Sequence, residues 1–460
     1  QKSPPLPPRY PHSTNHSTST TMIPDKICRI GTALCVLLPV DSSAFRRPFC
    51  LLRFLNRAYP TATVHKSLFS IALGFVVSPV LVVAFEVCWF MEDEFIPGLP
   101  QEIARECLIR VPFDAFRTVQ AVCKLWKHDL GSANFHRRRK SVGLDRPVVV
   151  LAQSEPAPVV AASANGEKSY PSRLLYRLAL FEPTTGAWSS LPPIPGRPHG
   201  LPLFCQLAAV GRELVVVGGW DPRTWAASDE VHVYDLVSGA WRRGAPMPGP
   251  RRSFFACAAS EERAAVFVAG GHDESKNALR SALAYDVAAD AWMQLPDMAR
   301  QRDECRGVFA SGGFHVVGGY PTEAQGQFSR SAETFDVAAW RWSAVEEGRL
   351  EEAACPRTCV VGGDGRVYMC RQAGQAVVLE EGGGAWRRVA ELPREVRVAL
   401  QMVAWEGGFM VLGSGTQRGA QVAYIVDIES GEGKGMKKWR KVELQREYSG
   451  HVQAGCCFQI

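Results

Sequence analysis

Short apolar runs separated by glycine-rich turns dominate the chain from residue 148 onward. VVVLAQ, FCQLAAV, VVVGG, FFACAAS, VFVAGG, CRGVFAS, HVVGG, RTCVVGG and ALQMVAW follow one another at short intervals. Runs of this length, rich in Val and bounded by Gly, predict strands rather than helices. The expected fold class is therefore mainly β.

A different period holds between residues 95 and 140. Leu99-Pro100, then Ile103 and Leu108, predict a short helix with an apolar face, entered at a proline. Pro112 should end it, because the residue before a proline is pushed out of the helical region. Phe116, Val119, Val122, Cys123 and Trp126 mostly step by three and four, which predicts a second helical stripe. Some 45 residues can hardly build a self-sufficient core, so such a stripe wants a partner.

The first ninety residues follow neither pattern. The opening twenty are mostly Pro, Ser, Thr and His and are expected to be disordered. Residues 68–85, LFSIALGFVVSPVLVVAF, carry no charge over eighteen positions, a length that can span a bilayer. Arg46, Arg47, Arg53, Arg57 and Lys66 precede it, and Glu92, Asp93 and Glu94 follow it. The excess of basic residues on the N-terminal side would send everything after Phe90 across the membrane. We therefore expect residues 1–90 to be a non-native extension, with a real anchor or a cleaved targeting segment as the alternatives, the coherent protein starting at Met91 and no membrane as its partner.

The strand region is a repeat. Trp188, Trp241, Trp292, Trp342, Trp386 and Trp439 recur at spacings of 53, 51, 50, 44 and 53 residues. Three units carry a Gly-Gly pair after an apolar run, at Gly218-Gly219, Gly270-Gly271 and Gly318-Gly319. An aromatic stands seven residues before the Trp at Phe181, Tyr234, Tyr285 and Phe335. Such a period marks a stacked or circular repeat architecture. These aromatics are expected to be core rather than ligands. The units around Trp386 and Trp439 depart: Gly362-Gly363 comes one strand early, Leu379 replaces the aromatic, and Gly413-Ser414-Gly415 stands for the second doublet.

Composition narrows function. Hydrophobic residues make up 46% and charged residues 21%, as in ordinary globular proteins, and a net charge of +6 gives no general nucleic-acid signal. The 14 cysteines show no CxxC and no zinc-type spacing; Cys355 and Cys359 make a lone CxxxC. Reduced thiols in the cytoplasm or nucleus are expected. His136 to Lys140 form a basic run that reads as a solvated linker, with a nuclear signal as the alternative. His199, His232, His272, His315 and His451 show no close pairing, and neither a P-loop nor a GxSxG elbow is present. No metal, cofactor or catalytic set is expected. An enzyme whose site is assembled from distant loops and a pure scaffold stay as alternatives.

Two resemblances join these observations. LPxEI, LxxVP and VCKxW within residues 95–136 resemble the F-box, through Leu99, Pro100, Glu102, Ile103, Leu108, Val111, Pro112, Val119, Val122, Cys123, Lys124 and Trp126. The F-box family binds the Skp adaptor, which docks it on a cullin scaffold. The resemblance implies adaptor contacts at those apolar positions, including Cys123, with Leu108 and Trp126 as anchors. The repeat resembles the kelch unit, a four-stranded propeller blade. It implies a six-bladed kelch-type β-propeller over residues 147–460, preceded by a small all-α F-box over 95–140. The first unit starts at strand b, and the terminal HVQAGCCFQI would supply its missing strand a and close the ring.

In such blades the b–c and d–a loops share one face. Trp220, Trp225, Arg280, Tyr320 and Arg330 fall in b–c loops, and Arg251, Arg252, Arg302, Arg357 and Arg397 in d–a loops. Arg and aromatics are enriched at binding hot spots, so these ten are the expected substrate contacts, with an acidic patch on the substrate. The span 91–460 resembles plant F-box/kelch proteins, which direct substrates to ubiquitination. Within it, RPVVVLAQSEP and LxxFEPTTGAW resemble the subgroup that targets phenylalanine ammonia-lyase in phenylpropanoid metabolism. The resemblance implies a non-catalytic subunit that brings a substrate lysine to a charged ubiquitin carrier.

Overall fold

The computed structural model describes residues 95–156, 175–380, 385–416, 420–428 and 438–460. The expected disorder, the apolar run 68–85 and the start at Met91 lie outside the described residues. Among those described, no helix is long and apolar enough to cross a membrane. The chain divides into two compact units, one ending at Phe135 and the other starting at His136.

The first unit is helical. Helix α1 (Gln101–Ile109) starts after Pro100, α2 covers Phe116–Gln120 and α3 covers Lys124–Leu130. Pro112, in extended conformation, separates α1 from the turn that leads into α2. Cys123 caps α3: its sulfur accepts the Trp126 N–H at 3.4 Å. Phe116, buried, meets Phe113 and Phe135 edge to face at 5.7 Å. The basic run expected as a linker instead forms part of α4 (Ala133–Ser141), and Arg139 is buried with its guanidinium donating to the Leu144 carbonyl.

The second unit is a six-bladed propeller of four-stranded antiparallel sheets. Blade 2 is representative: strand a is Gln206–Val210, b is Glu213–Val217, c is Val231–Asp235 and d is Ala240–Gly244. Strand b alternates no polar face, because both sides pack on apolar neighbours, whereas strand d is only partly buried. Apolar cores form between blades. Val215, Val217 and Val233 of blade 2 pack with Phe255, Val266 and Tyr285 of blade 3.

The ring closes as the sequence implied. Strand Val452–Gln459 pairs antiparallel with Pro147–Ser154 and supplies strand a of blade 1. Val149, Leu151 and Phe181 of blade 1 share a core with Val403, Met410 and Tyr448 of the last blade region. Arg146 and Ile460 exchange both backbone hydrogen bonds.

The repeat markers each have a physical task. The c-strand aromatic stands opposite the d-strand Trp in the ladder: Phe181–Trp188, Tyr234–Trp241, Tyr285–Trp292 and Phe335–Trp342. Their ring centroids lie 4.7 to 5.4 Å apart. The aromatic is fully buried, and the half-buried Trp latches the preceding blade. Trp241 donates its indole N–H to Pro192 O, Trp292 to Ala245 O, Trp342 to Pro296 O and Trp386 to Arg349 O, at 2.7 to 3.0 Å. Trp188 instead stacks on Tyr448, 5.1 Å away.

The Gly-Gly pairs are obligatory at two levels. Gly270 and Gly271 both have left-handed φ, of 67° and 77°. A Cβ on Gly271 would stand 2.4 Å from Ser253 O, and one on Gly219 2.6 Å from Leu203 O. No side chain fits there. In blade 5 the early doublet Gly362-Gly363 serves another contact, since a Cβ on Gly363 would lie 2.4 Å from the Glu406 Cα. Leu379 nevertheless keeps the aromatic's place opposite Trp386.

Candidate functional site

In blades 2 to 4 the residue after Gly-Gly forms a bridge back to the loop that enters strand a: Trp220 with Leu203, His272 with Ser253 and Tyr320 with Asp303. These bridges hold the b–c and d–a loops together on one face of the propeller. The next residue in each d–a loop, Phe204, Phe254 and Glu304, adopts left-handed φ of 58°, 55° and 49°. Such a backbone costs a β-carbon-bearing residue about 1–2 kcal/mol, so Gly or Asn would serve the fold better. At Phe204 the conformation is held by Gln453 of the closing strand, whose side-chain oxygen accepts the Phe204 N–H at 2.8 Å and whose amide donates to Pro202 O.

The outcome is an aromatic shelf. Phe204 lies 4.7 Å from Phe254 and 5.5 Å from Trp220, and Trp220 meets Trp225 edge to face at 6.2 Å. Phe204 is 37% and Trp225 62% exposed, and Trp225 is itself left-handed at φ 58°. Beside the shelf, Phe204, Phe254, Glu304, Arg306, Arg357 and Gln453 are among the residues that line a cavity of about 80 Å³.

Buried polar groups fix the shelf from below. His272 stacks on Phe254 at 5.4 Å; its Nε2 bonds the Ser253 hydroxyl at 2.9 Å and its Nδ1 the Asp303 carboxylate at 2.9 Å. Sequence spacing gave no sign of this set, because its members come from three separate loops. A Ser–His–Asp relay is the geometry of a hydrolytic nucleophile. Here Ser253 is 0% exposed, so its oxygen is closed to an acyl group. The relay orients the imidazole under the shelf.

The arginines separate into two kinds. Arg252 and Arg302, expected at the substrate, are 1% exposed. Arg302 donates to Gly318 O, Ser331 O and Glu333, and Arg252 to Gly270 O and Ser281 O. Both staple the ends of b–c loops, which corrects their expected role. Burial pulls the Arg252 guanidinium down to about 10. Tyr320 is also buried, its hydroxyl donating to Glu304 at 2.8 Å. Arg251 and Arg280 are exposed but ion-paired, with Asp229 and Glu274 and with Asp297. Arg330 donates to Leu350 O and Arg397 to Leu392 O. Arg357 is exposed at the cavity. Arg306, at the start of strand a of blade 4, lies deeper; its Nε donates to Cys359 O, and burial lowers its pKa. Buried thiols at Cys205, Cys257, Cys359 and Cys370 are pushed up to about 12, which removes them as nucleophiles at neutral pH.

The helical unit offers a second surface. Leu99 is 39% and Ile103 50% exposed, one turn apart, with Pro100 between them also exposed. Ala104 and Leu108 occupy the opposite, buried face of α1. Leu108, Val111, Val119, Val122 and Trp126 are buried within the unit, and the Trp126 indole donates to Phe95 O. The two expected anchors, Leu108 and Trp126, are therefore spent on the unit's own core. Pro112 is exposed and Cys123 half-buried.

The Kelch motif model matches residues 203–248 and 251–299, the segments that carry blades 2 and 3. The F-box/kelch-repeat protein At1g15670 of Arabidopsis thaliana is 44% identical over 370 residues, covering 80% of this chain and 100% of that protein. At1g80440, of the same description and organism, is 41% identical over 80% of this chain and 100% of its own length. The Arabidopsis F-box/kelch-repeat protein SKIP20 is 38% identical over 56% of this chain and 67% of its own. With relatives matched over their whole length and a six-bladed propeller behind an N-terminal helical unit, this chain belongs to the F-box/kelch-repeat proteins.

Proposed function

We propose that this chain is the substrate-recognition subunit of an SCF-type (cullin) ubiquitin ligase. The observation that carries the reading is the pair of unrelated exposed surfaces on one chain. Leu99, Pro100 and Ile103 form an exposed apolar patch on a helical unit whose own core is filled by Leu108, Val111, Phe116 and Trp126. That patch docks a Skp-type adaptor and, through it, the cullin scaffold. The aromatic shelf on the propeller holds the protein substrate. The subunit itself is non-catalytic and acts by proximity, holding a substrate lysine near a charged ubiquitin carrier. The cytoplasm or nucleus, where such ligases work, is its proposed location.

Phenylalanine ammonia-lyase is the proposed substrate, on the resemblance of residues 146–156 and 178–188 to the subgroup that targets it. Co-expression of the two proteins with and without proteasome inhibition tests this. The lyase should fall in abundance only when the propeller chain is present and the proteasome is active. Unchanged abundance in both conditions removes this substrate while leaving the ligase reading open.

A further inference from the structure

Three register-equivalent positions stand at the mouth of the cavity with the same left-handed backbone but different chemistry: Phe204, Phe254 and Glu304. Because the backbone is the same, the fold does not dictate which side chain stands there. Two of the three are large aromatics turned toward solvent and reinforced by Trp220 and Trp225. Beside these aromatics the cavity is lined by Arg306 and Arg357 with Gln401 and Gln453. Its one lining carboxylate, Glu304, already accepts the Tyr320 hydroxyl.

Resting on the reading of the propeller as the substrate-binding part, we propose that this mouth recognises a protein segment in which a large apolar side chain stands close to an Asp or Glu. The apolar side chain lies on Phe204, Phe254 and Trp225. The carboxylate enters the cavity beside the shelf and meets Arg357, with Arg306 behind it. The cavity, of about 80 Å³, has room for a carboxylate head. Charge complementarity selects the occupant: two guanidiniums face a single, already engaged carboxylate. Nucleic acid would need a continuous cationic track beside the stacking surface. Here the exposed Arg251 and Arg280 are tied to Asp229, Glu274 and Asp297 and supply no such track.

The test uses the purified full chain and an array of ten-residue Gly/Ser peptides. Each peptide pairs one Phe, Trp, Tyr or Leu with one Asp or Glu at separations of one to four residues. Matched peptides carry Asn or Gln, or Ala in place of the apolar residue. Retention on some acidic pairs, at least about tenfold weaker on both matched sets, is the expected result. Arg357→Glu and Trp225→Ala should each abolish that retention at an unchanged melting temperature, since both side chains are exposed. Binding indifferent to Glu→Gln or to Arg357→Glu overturns the proposal, as does no retention on any peptide or displacement by an oligothymidine. If the same variants still capture the cellular substrate while adaptor binding persists, the segment class is wrong and the subunit reading stands. Loss of adaptor and substrate alike from the wild-type chain would instead remove that reading.

Discussion

At the scale of single residues, burial decides what a charged side chain is for. Arg302 and Glu333 form an ion pair at 3.0 Å with side chains 2% and 0% exposed. Removing one partner strands the other's charge in the interior. Arg302→Ala should therefore cost about 3–5 kcal/mol, read as a fall in the denaturation midpoint, whereas Arg357→Ala should cost little. His232 gives a pH signature. Its pKa is lowered to about 4, by burial first and then by Arg197 and Arg243, although Glu230 lies 3.3 Å from its Nε2. The unfolded chain takes up that proton near pH 6.5, the folded one near 4. Stability thus falls as pH drops from about 6.5 to 4 and is unaffected by this group above that window. Between pH 7 and 5, His232→Gln should lose less melting temperature than the unchanged protein; an identical loss would contradict the assignment.

Elements were the most legible scale. Trp period, Gly-Gly and the aromatic seven residues earlier were readable because each answers to a local demand: a ladder pair, a left-handed turn, a close backbone approach. Closure by the final strand was readable too, since blade 1 lacked a strand and the chain ended in one without a blade. What was not legible depends on neighbours far apart in sequence. Arg252 and Arg302 look like surface arginines until the b–c loop carbonyls of their own blades surround them. Ser253, His272 and Asp303 meet only once two blades are side by side. Trp126 looks like a partner anchor because a helical stripe does not say whether its cover comes from within.

The closing strand yields a quantitative test. Val452 and Phe458 on it and Ile460 just after it are almost wholly buried, and burying side chains of this size stabilises by about 1.5–3 kcal/mol each. Deleting residues 452–460 should remove about 5 kcal/mol or more and lower the melting temperature by roughly 10 °C or more. The deletion also frees Phe204 from Gln453, so peptide retention should vanish with it. A truncated chain that melts like the intact one would contradict closure by this strand.

For the whole molecule, the account places two independent tasks on two surfaces. Ile103→Asp sits on an exposed turn of α1 and should abolish adaptor binding without altering propeller stability. Arg357→Glu should do the converse, sparing the adaptor while releasing substrate. Affinity purification of the tagged chain from plant cells with the proteasome blocked, followed by quantitative mass spectrometry, tests the central claim most directly. The account predicts a Skp-type adaptor and a cullin recovered with the unchanged chain and with Arg357→Glu, and both lost from Ile103→Asp. Recovery of the chain without adaptor or cullin, or equal recovery of both from Ile103→Asp, would contradict it.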